Sequence, residues 1–285
     1  MSSMADDRAL FSLNLSAELA AVSADPELIA LQRRLQDALL QDQLSLVFQP
    51  IFDIHSLHLH SAEALLRWRH PELGEVSPAR FIPVAERSDL ILELGRHVLS
   101  RAAAQIADWR RQGLEPVPVA VNVSGSELKQ GDFADQIGGV LKEYAIPGHL
   151  LRVEVTEHGL ISDFARATAN LRAAGELGLG IALDDFGTGY SSFRYLRHLP
   201  IRALKIDREF VAGVDVDARD QRIVRAMVAL AHSLRLKVIA EGVETESELA
   251  TLRRLRCDYV QGFLTGRPMP AAGFAALLGA RGCGG

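Results

Sequence analysis

The chain has 285 residues, 48% of them hydrophobic and 24% charged, with a formal net charge of −5. That composition supplies a sizeable core and suits one large barrel or two smaller domains. The acidic balance argues against a binder of nucleic-acid polymers or of anionic membranes, which carry a basic excess. The two cysteines, Cys257 and Cys283, have no ligand-like spacing, so a disulfide scaffold is not expected and a reducing, cytoplasmic setting is. Residues 1–7 lack the basic and apolar regions of a signal peptide. No stretch approaches the roughly 20 apolar residues of a membrane helix, so no membrane span is expected.

In chain order, residues up to about Asp25 are weakly patterned; a tail or linker is expected over 1–27 and the folded domain over 28–285. Pro26 opens a helical pattern carried by Leu28, Leu31, Leu35, Ala38 and Leu39. Strands are predicted over residues 44–51, 57–68, 117–123, 150–156, 180–184, 202–206, 237–240 and 258–260. Helices are predicted over 97–112, 133–144, 163–177, 219–234 and 246–255. This alternation points to an α/β fold, a (β/α)8 TIM-like barrel, with an open doubly wound sheet as the alternative. Only residues 52–56 separate the first two strands, too few for a crossover helix, so the first strand should be antiparallel to the second.

Polar residues recur near the strand ends: Gln49, Glu63 with Arg67, Asn122, Glu154, Asp184 with Asp185, Lys205 with Asp207, Glu241 and Gln261. Barrel enzymes place their active sites at the C-terminal ends of the strands. One such residue is ordinarily a cap or turn residue; a polar residue on strand after strand is not. Five carboxylates in one mouth, offset by Lys205 and Arg67 alone, need protons or cations. With no Cys or His at matching positions, the set selects a hard cation such as Mg²⁺, Mn²⁺ or Ca²⁺ over zinc. Two adjacent aspartates and three further acids could hold two ions about 3.5–4 Å apart, as in two-metal phosphoryl transfer. His55, His58 and His60 resemble a metal cluster, but strand alternation turns His58 and His60 away from Glu63. Asp185-Phe186-Gly187 matches a kinase triplet without the Gly-rich and catalytic loops a kinase needs.

The ordered set of motifs resembles the EAL-domain family of cyclic di-GMP phosphodiesterases across residues 28–278. They read Phe48-Gln49-Pro50-Ile51, Glu63-Ala64-Leu65-Leu66-Arg67-Trp68, Asn122-Val123-Ser124, Glu154-Val155-Thr156-Glu157 and Asp184-Asp185-Phe186-Gly187-Thr188-Gly189. Leu204-Lys205-Ile206-Asp207, Glu241-Gly242-Val243-Glu244-Thr245 and Gln261-Gly262-Phe263 complete the series. The resemblance implies a barrel with an antiparallel first strand and hydrolysis of cyclic di-GMP to linear pGpG. It implies that Glu63, Asn122, Glu154 and Asp184 ligate one metal, and that Asp184 bridges to a second, held also by Asp185. The ions would be Mg²⁺ or Mn²⁺, with Ca²⁺ bound but inhibitory. Lys205 and Glu241 would position and activate water, Glu241 as the base. Gln49, Leu66, Arg67, Asp207, Gln261, Gly262 and Phe263 would form the substrate-binding set, with Phe263 near a guanine. Glu157 would hold the loop over residues 185–192, which in the family often couples the site to a homodimer interface. Ser61 and Thr265 depart from the family's usual glycine and aromatic residue. A catalytically silent cyclic di-GMP receptor is the alternative, and metal-assisted proton abstraction, as in enolase-like sites, a third reading.

Overall fold

The computed structural model describes residues 26–161, 163–187 and 196–282. Residues 1–25 of the expected N-terminal tail, Thr188 to Ser192 of the expected loop, and Cys283 lie outside the described residues; Pro26 and Glu27, expected in the tail, begin a helix. The described residues fall into two compact units: one comprises residues 26–45 and 67–91, the other residues 46–66 and the described part of 92–282.

The larger unit carries a closed barrel. Its strands are β1 (Leu44–Asp53), β2 (Leu59–His70), β4 (Val119–Val123), β5 (Leu151–Thr156), β6 (Gly180–Phe186), β7 (Ala203–Ile206), β8 (Lys237–Ala240) and β9 (Tyr259–Val260). They pair in the order β1-β9-β8-β7-β6-β5-β4-β2, and β2 returns to β1 to close the ring. All neighbours from β2 through β4 to β9 run parallel, whereas β1 meets β9 antiparallel, Phe52 opposite Val260. The reversal is local: Asp53 N–H donates to His58 O at 2.9 Å, and the Asp53 carboxylate accepts from the backbone of His55 and Ser56. A short additional strand, β10 (Met269–Pro270), pairs antiparallel with β1. The barrel and its antiparallel first strand thus agree with the sequence expectation.

Helices α3 (Leu90–Arg111), α4 (Phe133–Glu143), α6 (Phe164–Glu176), α8 (Ala218–Ser233) and α9 (Glu246–Arg254) alternate with the parallel strands. Between the longer helices lie the short α5 (Glu157–Ile161) and α7 (Arg208–Val211), and α10 (Ala271–Gly282) ends the unit. Strand residues such as Val153, Leu204 and Val238 are wholly buried. Phe48, Trp109 and Phe274 form an aromatic cluster with ring centroids 4.9–5.9 Å apart, adding edge-to-face contact to their area burial.

In the smaller unit, α1 (Pro26–Leu40) buries Leu31, Leu35 and Ala38 and packs with α2 (Pro78–Glu86). A three-residue strand, β3 (Gly74–Val76), pairs antiparallel with the end of β2. Trp68 packs edge-on against Phe81 at 5.6 Å and donates its indole N–H to Gln43. Pro78 opens α2, where a missing N–H costs nothing, whereas Pro83 lies inside it. That interior proline obscures the helix in the sequence.

Candidate active site

Parallel register sets Asn122 of β4 beside Glu154 of β5, and Thr156 beside Asp184 of β6. Lys205, third on β7, is 1% exposed and is the hub of the site. Its ammonium lies 2.6 Å from Glu154 Oε2, 2.6 Å from Glu241 Oε1, 3.2 Å from Glu63 Oε2 and 3.4 Å from Asp184 Oδ2. Amides fix the outer oxygens: Asn122 donates to Glu63 Oε1 at 2.8 Å and Gln261 to Glu63 Oε2 at 2.8 Å. Gln261 also donates to Gln49, which in turn donates to Gly266 O. Side chains on, or one residue past, all eight barrel strands therefore converge through polar contacts, Gln49 and Gln261 from 212 positions apart.

The aspartate pair depends on a backbone irregularity. Two adjacent strand residues normally face opposite sides. Here the β6–β7 register shifts between Leu183 and Phe186, and Asp185 adopts φ 53°. Left-handed backbone at a non-glycine residue costs about 1–3 kcal/mol and persists where surrounding contacts fix it. The Asp185 N–H donates to Asp184 Oδ1 at 2.9 Å. Burial, together with the charges of Asp184 and Asp207, raises the Asp185 carboxyl above its ordinary range.

Four carboxylates around one ammonium do not all ionise easily. Burial pulls Lys205 down, but Glu154, Glu241, Glu63 and Asp184 reverse this and raise it well above a lysine's ordinary value, so it stays cationic. Burial pushes Glu154 well above the carboxylate range despite Lys205. Glu241 is pushed up to about 8, again by burial and against the pull of Lys205. Glu63 goes the other way: burial raises it, but Lys205 and the amides of Gln261 and Asn122 hold it below its ordinary value.

Among the described residues, no three His, Cys, Asp or Glu side chains are gathered as a metal-holding group; the acids close on the Lys205 ammonium instead. The donors nevertheless fit a hard divalent cation. They are carboxylate and amide oxygens, the carboxylates outnumber the cation, and Gln261 Oε1 is buried without a hydrogen-bond partner. The histidines take no part: His60 stacks on Tyr259 and contacts Arg152.

A cavity of about 220 Å³ opens over the cluster, lined by Gln49, Glu63, Asp184, Lys205, Glu241, Gln261, Gly262 and Phe263. Phe263 is 44% exposed, and the Arg267 guanidinium lies 4.2 Å from its ring centre. Gly262 is required because a Cβ there would collide with the Val243 backbone. Asp207 caps α7, accepting from Glu209 N–H at 2.7 Å. Leu66, buried, and Arg67, half-buried, follow Glu63 along β2. Glu157 is buried at the start of α5; most of the loop it is expected to hold lies outside the described residues.

Two wall residues escaped the sequence reading as site residues. Arg208 and Glu244 line the cavity and pair at 2.8 Å. Gly242, at φ 68°, leaves room for the Arg208 side chain. The glycine immediately after Glu241 was the available signal. Behind this wall Glu248 accepts from the N–H groups of Gly213, Glu244 and Thr245, and Thr245 completes a capping box on α9. Burial raises the Glu248 carboxyl, but these hydrogen bonds outweigh it and hold it below its ordinary value. Glu248→Ala should cost about 2 kcal/mol in denaturant unfolding, the scale of lost hydrogen bonds to a charged group. Because the folded-state value is depressed, the advantage of Glu248 over Gln is present above the ordinary carboxylate range. It should fade as pH falls through the lowered value.

Residues 32–268 match the EAL domain family. The chain belongs to the EAL domain family. It is 41% identical over 250 residues to the cyclic di-GMP phosphodiesterase NbdA of Pseudomonas aeruginosa, covering 88% of this chain and 32% of that protein. It is 42% identical over 246 residues to the bifunctional diguanylate cyclase/cyclic di-GMP phosphodiesterase MucR of the same organism, covering 86% and 36%. The chain thus spans about a third of the length of these relatives. Among solved structures it resembles a PaMucR phosphodiesterase in complex with c-di-GMP, with a TM-score of 0.82 and 40% identity over 86% of this chain and 99% of that one.

Proposed function

We propose that this EAL domain hydrolyses cyclic di-GMP to linear 5′-pGpG with divalent metal ions, working in the cytoplasm as a homodimer. The observation that carries the reading is the convergence of Glu63, Glu154, Asp184 and Glu241 on a buried Lys205 beneath an open cavity. The relatives named as cyclic di-GMP phosphodiesterases and the structure with c-di-GMP bound support the substrate.

In this reading Glu63, Asn122, Glu154 and Asp184 would hold one ion, Mg²⁺ or Mn²⁺, and Asp184 with Asp185 would hold a second. Ca²⁺ would bind the same oxygens without supporting turnover. Bound there, the ions supply Lewis-acid polarisation of the phosphoryl group and acidify water. Asn122 and Gln261 orient Glu63 through their hydrogen bonds to it. Glu241 takes the proton from the attacking water, whose oxygen forms the new P–O bond as the ribose 3′ oxygen leaves. Burial raises the Glu241 carboxyl above the ordinary carboxylate range, which strengthens its carboxylate as a proton acceptor. Lys205 holds Glu241 at 2.6 Å and sets positive charge where negative charge develops. Phe263, with Arg267 against its ring, offers a flat face to a guanine at the rim. Gln49, Leu66, Arg67, Asp207 and Gly262 complete the substrate-binding set, and Glu157 braces the loop that follows Asp185.

Chromatography of nucleotides after incubating purified protein with cyclic di-GMP tests the reading. pGpG should accumulate with Mg²⁺ or Mn²⁺ and stop with excess EDTA. Tight binding of cyclic di-GMP with no product in either metal would make the chain a receptor instead.

A further inference from the structure

A second cavity, of about 340 Å³, lies at the opposite end of the barrel, among residues that begin the strands. Its wall carries Arg152, Arg202 and Lys237 against one carboxylate, Glu154, which is tied to Lys205, although the chain is acidic overall. Arg152, second on β5, is only partly accessible, and its guanidinium contacts His60 Nε2 at 3.1 Å. An arginine has no lone pair to offer, so His60 accepts there and is uncharged at that nitrogen. No carboxylate of the described residues lies within ion-pair distance of Arg152. His60 stacks on Tyr259 with ring centres 3.8 Å apart, which fixes the acceptor in place. Gly180 lets the Arg152 stem cross the start of β6, since a Cβ would press on it at 3.1 Å. Exposed Arg202 and Lys237 stand around the same cavity, Lys237 shared with Asp258 at 2.6 Å.

A second, independent feature points to a ligand. Ser61 also lines this cavity; it is 0% exposed, and its hydroxyl has no hydrogen-bond partner. A buried hydroxyl left unpaired is destabilising. A guanidinium partly withdrawn from water and without an ion-pair partner is costly as well. Both costs disappear if an oxyanion occupies the cavity: guanidinium groups pair bidentately with phosphate, and the hydroxyl donates to a remaining oxygen. Several cations in one wall favour a multiply charged phosphate over a single carboxylate.

We propose that this floor of the barrel is a binding site for a small phosphate-bearing anion, held by Arg152 and Ser61 and drawn in by Arg202. The site opens at the other end of the barrel from the acid cluster, with Glu154 as the wall the two share, and does not depend on cleavage of cyclic di-GMP.

The test is calorimetric titration of pyrophosphate into the full chain in excess EDTA, which removes divalent ions from the other mouth. Saturable binding is expected in the wild type. Arg152→Met should weaken it roughly 30-fold or more, the effect of truncating one partner of a buried, hydrogen-bonded charge pair. Arg202→Gln, at an exposed position, should fold normally and weaken binding by about 3-fold or more, and it decides the matter if Arg152→Met does not fold. Added pyrophosphate should also raise the melting temperature of the wild type but not of Arg152→Met. No saturable binding, or equal binding by the wild type and by every variant that folds, would overturn the proposal.

Discussion

Replacing Lys205 with methionine should lower stability at neutral pH by about 3–5 kcal/mol, the range for removing one partner of a buried ion pair. The ammonium is 1% exposed and touches four carboxylates, so nothing from solvent takes its place. The loss should grow as pH rises, because without the cation the acids must either hold protons or repel one another. A divalent ion should counter it. If these oxygens accept Mn²⁺, adding the ion should raise the melting temperature of Lys205→Met by more than that of the wild type, as ligand binding to the folded state stabilises it. Turnover should still fall on the order of 100- to 1,000-fold, the usual consequence of removing a preorganised electrostatic group. Thermal unfolding with and without Mn²⁺ checks the first part and product chromatography the second. A variant as stable as the wild type would mean that the cluster is not organised around Lys205.

The second large effect has the opposite pattern. Glu154→Gln should not lower metal-free stability at neutral pH, yet turnover should fall on the order of 100-fold or more. Glutamine is the isostere of a protonated glutamate. Burial, with Glu63 and Asp184 nearby, already pushes Glu154 well above its ordinary range. A raised folded-state value means that the wild type gives up stability as pH climbs from the ordinary carboxylate range towards that value, and the Gln variant does not. Stability kept and activity lost is the signature of a group retained for function. Urea denaturation at two pH values and a turnover assay measure both. Loss of stability with activity unchanged would mark Glu154 as a structural residue.

Much of this site was legible in the sequence because barrel geometry does the gathering. Once eight strand-like segments alternated with helical ones, polar residues at their ends had to meet. Glu63, Asn122, Glu154, Asp184, Lys205, Glu241 and Gln261 do meet, through contacts of 2.6–3.4 Å. The hairpin over residues 52–56 was readable from its length alone. Other features were not. Two-residue pairing at β10 and three-residue pairing at β3 carry no periodic signal. The bulge that turns Asp185 into left-handed backbone depends on tertiary contacts, and aspartate in the sequence does not announce it. Arg208 falls one residue after a motif and enters the cavity wall only because Gly242 makes room. The basic floor was least legible: Arg152, Arg202 and Lys237 are scattered through an acidic chain and meet only when the strand starts close into a ring.

The acids around Lys205 are either a hard-cation site or a self-contained ion-pair network, and one titration separates the two. Mn²⁺ should be added calorimetrically to EDTA-stripped, desalted wild type and to Glu63→Ala. Saturable uptake by the wild type, accompanied by proton release from the raised carboxyls and weakened at least tenfold in the variant, is the expected result. Equal uptake by both proteins, or none by either, would contradict a metal-dependent phosphodiesterase centred on this cluster.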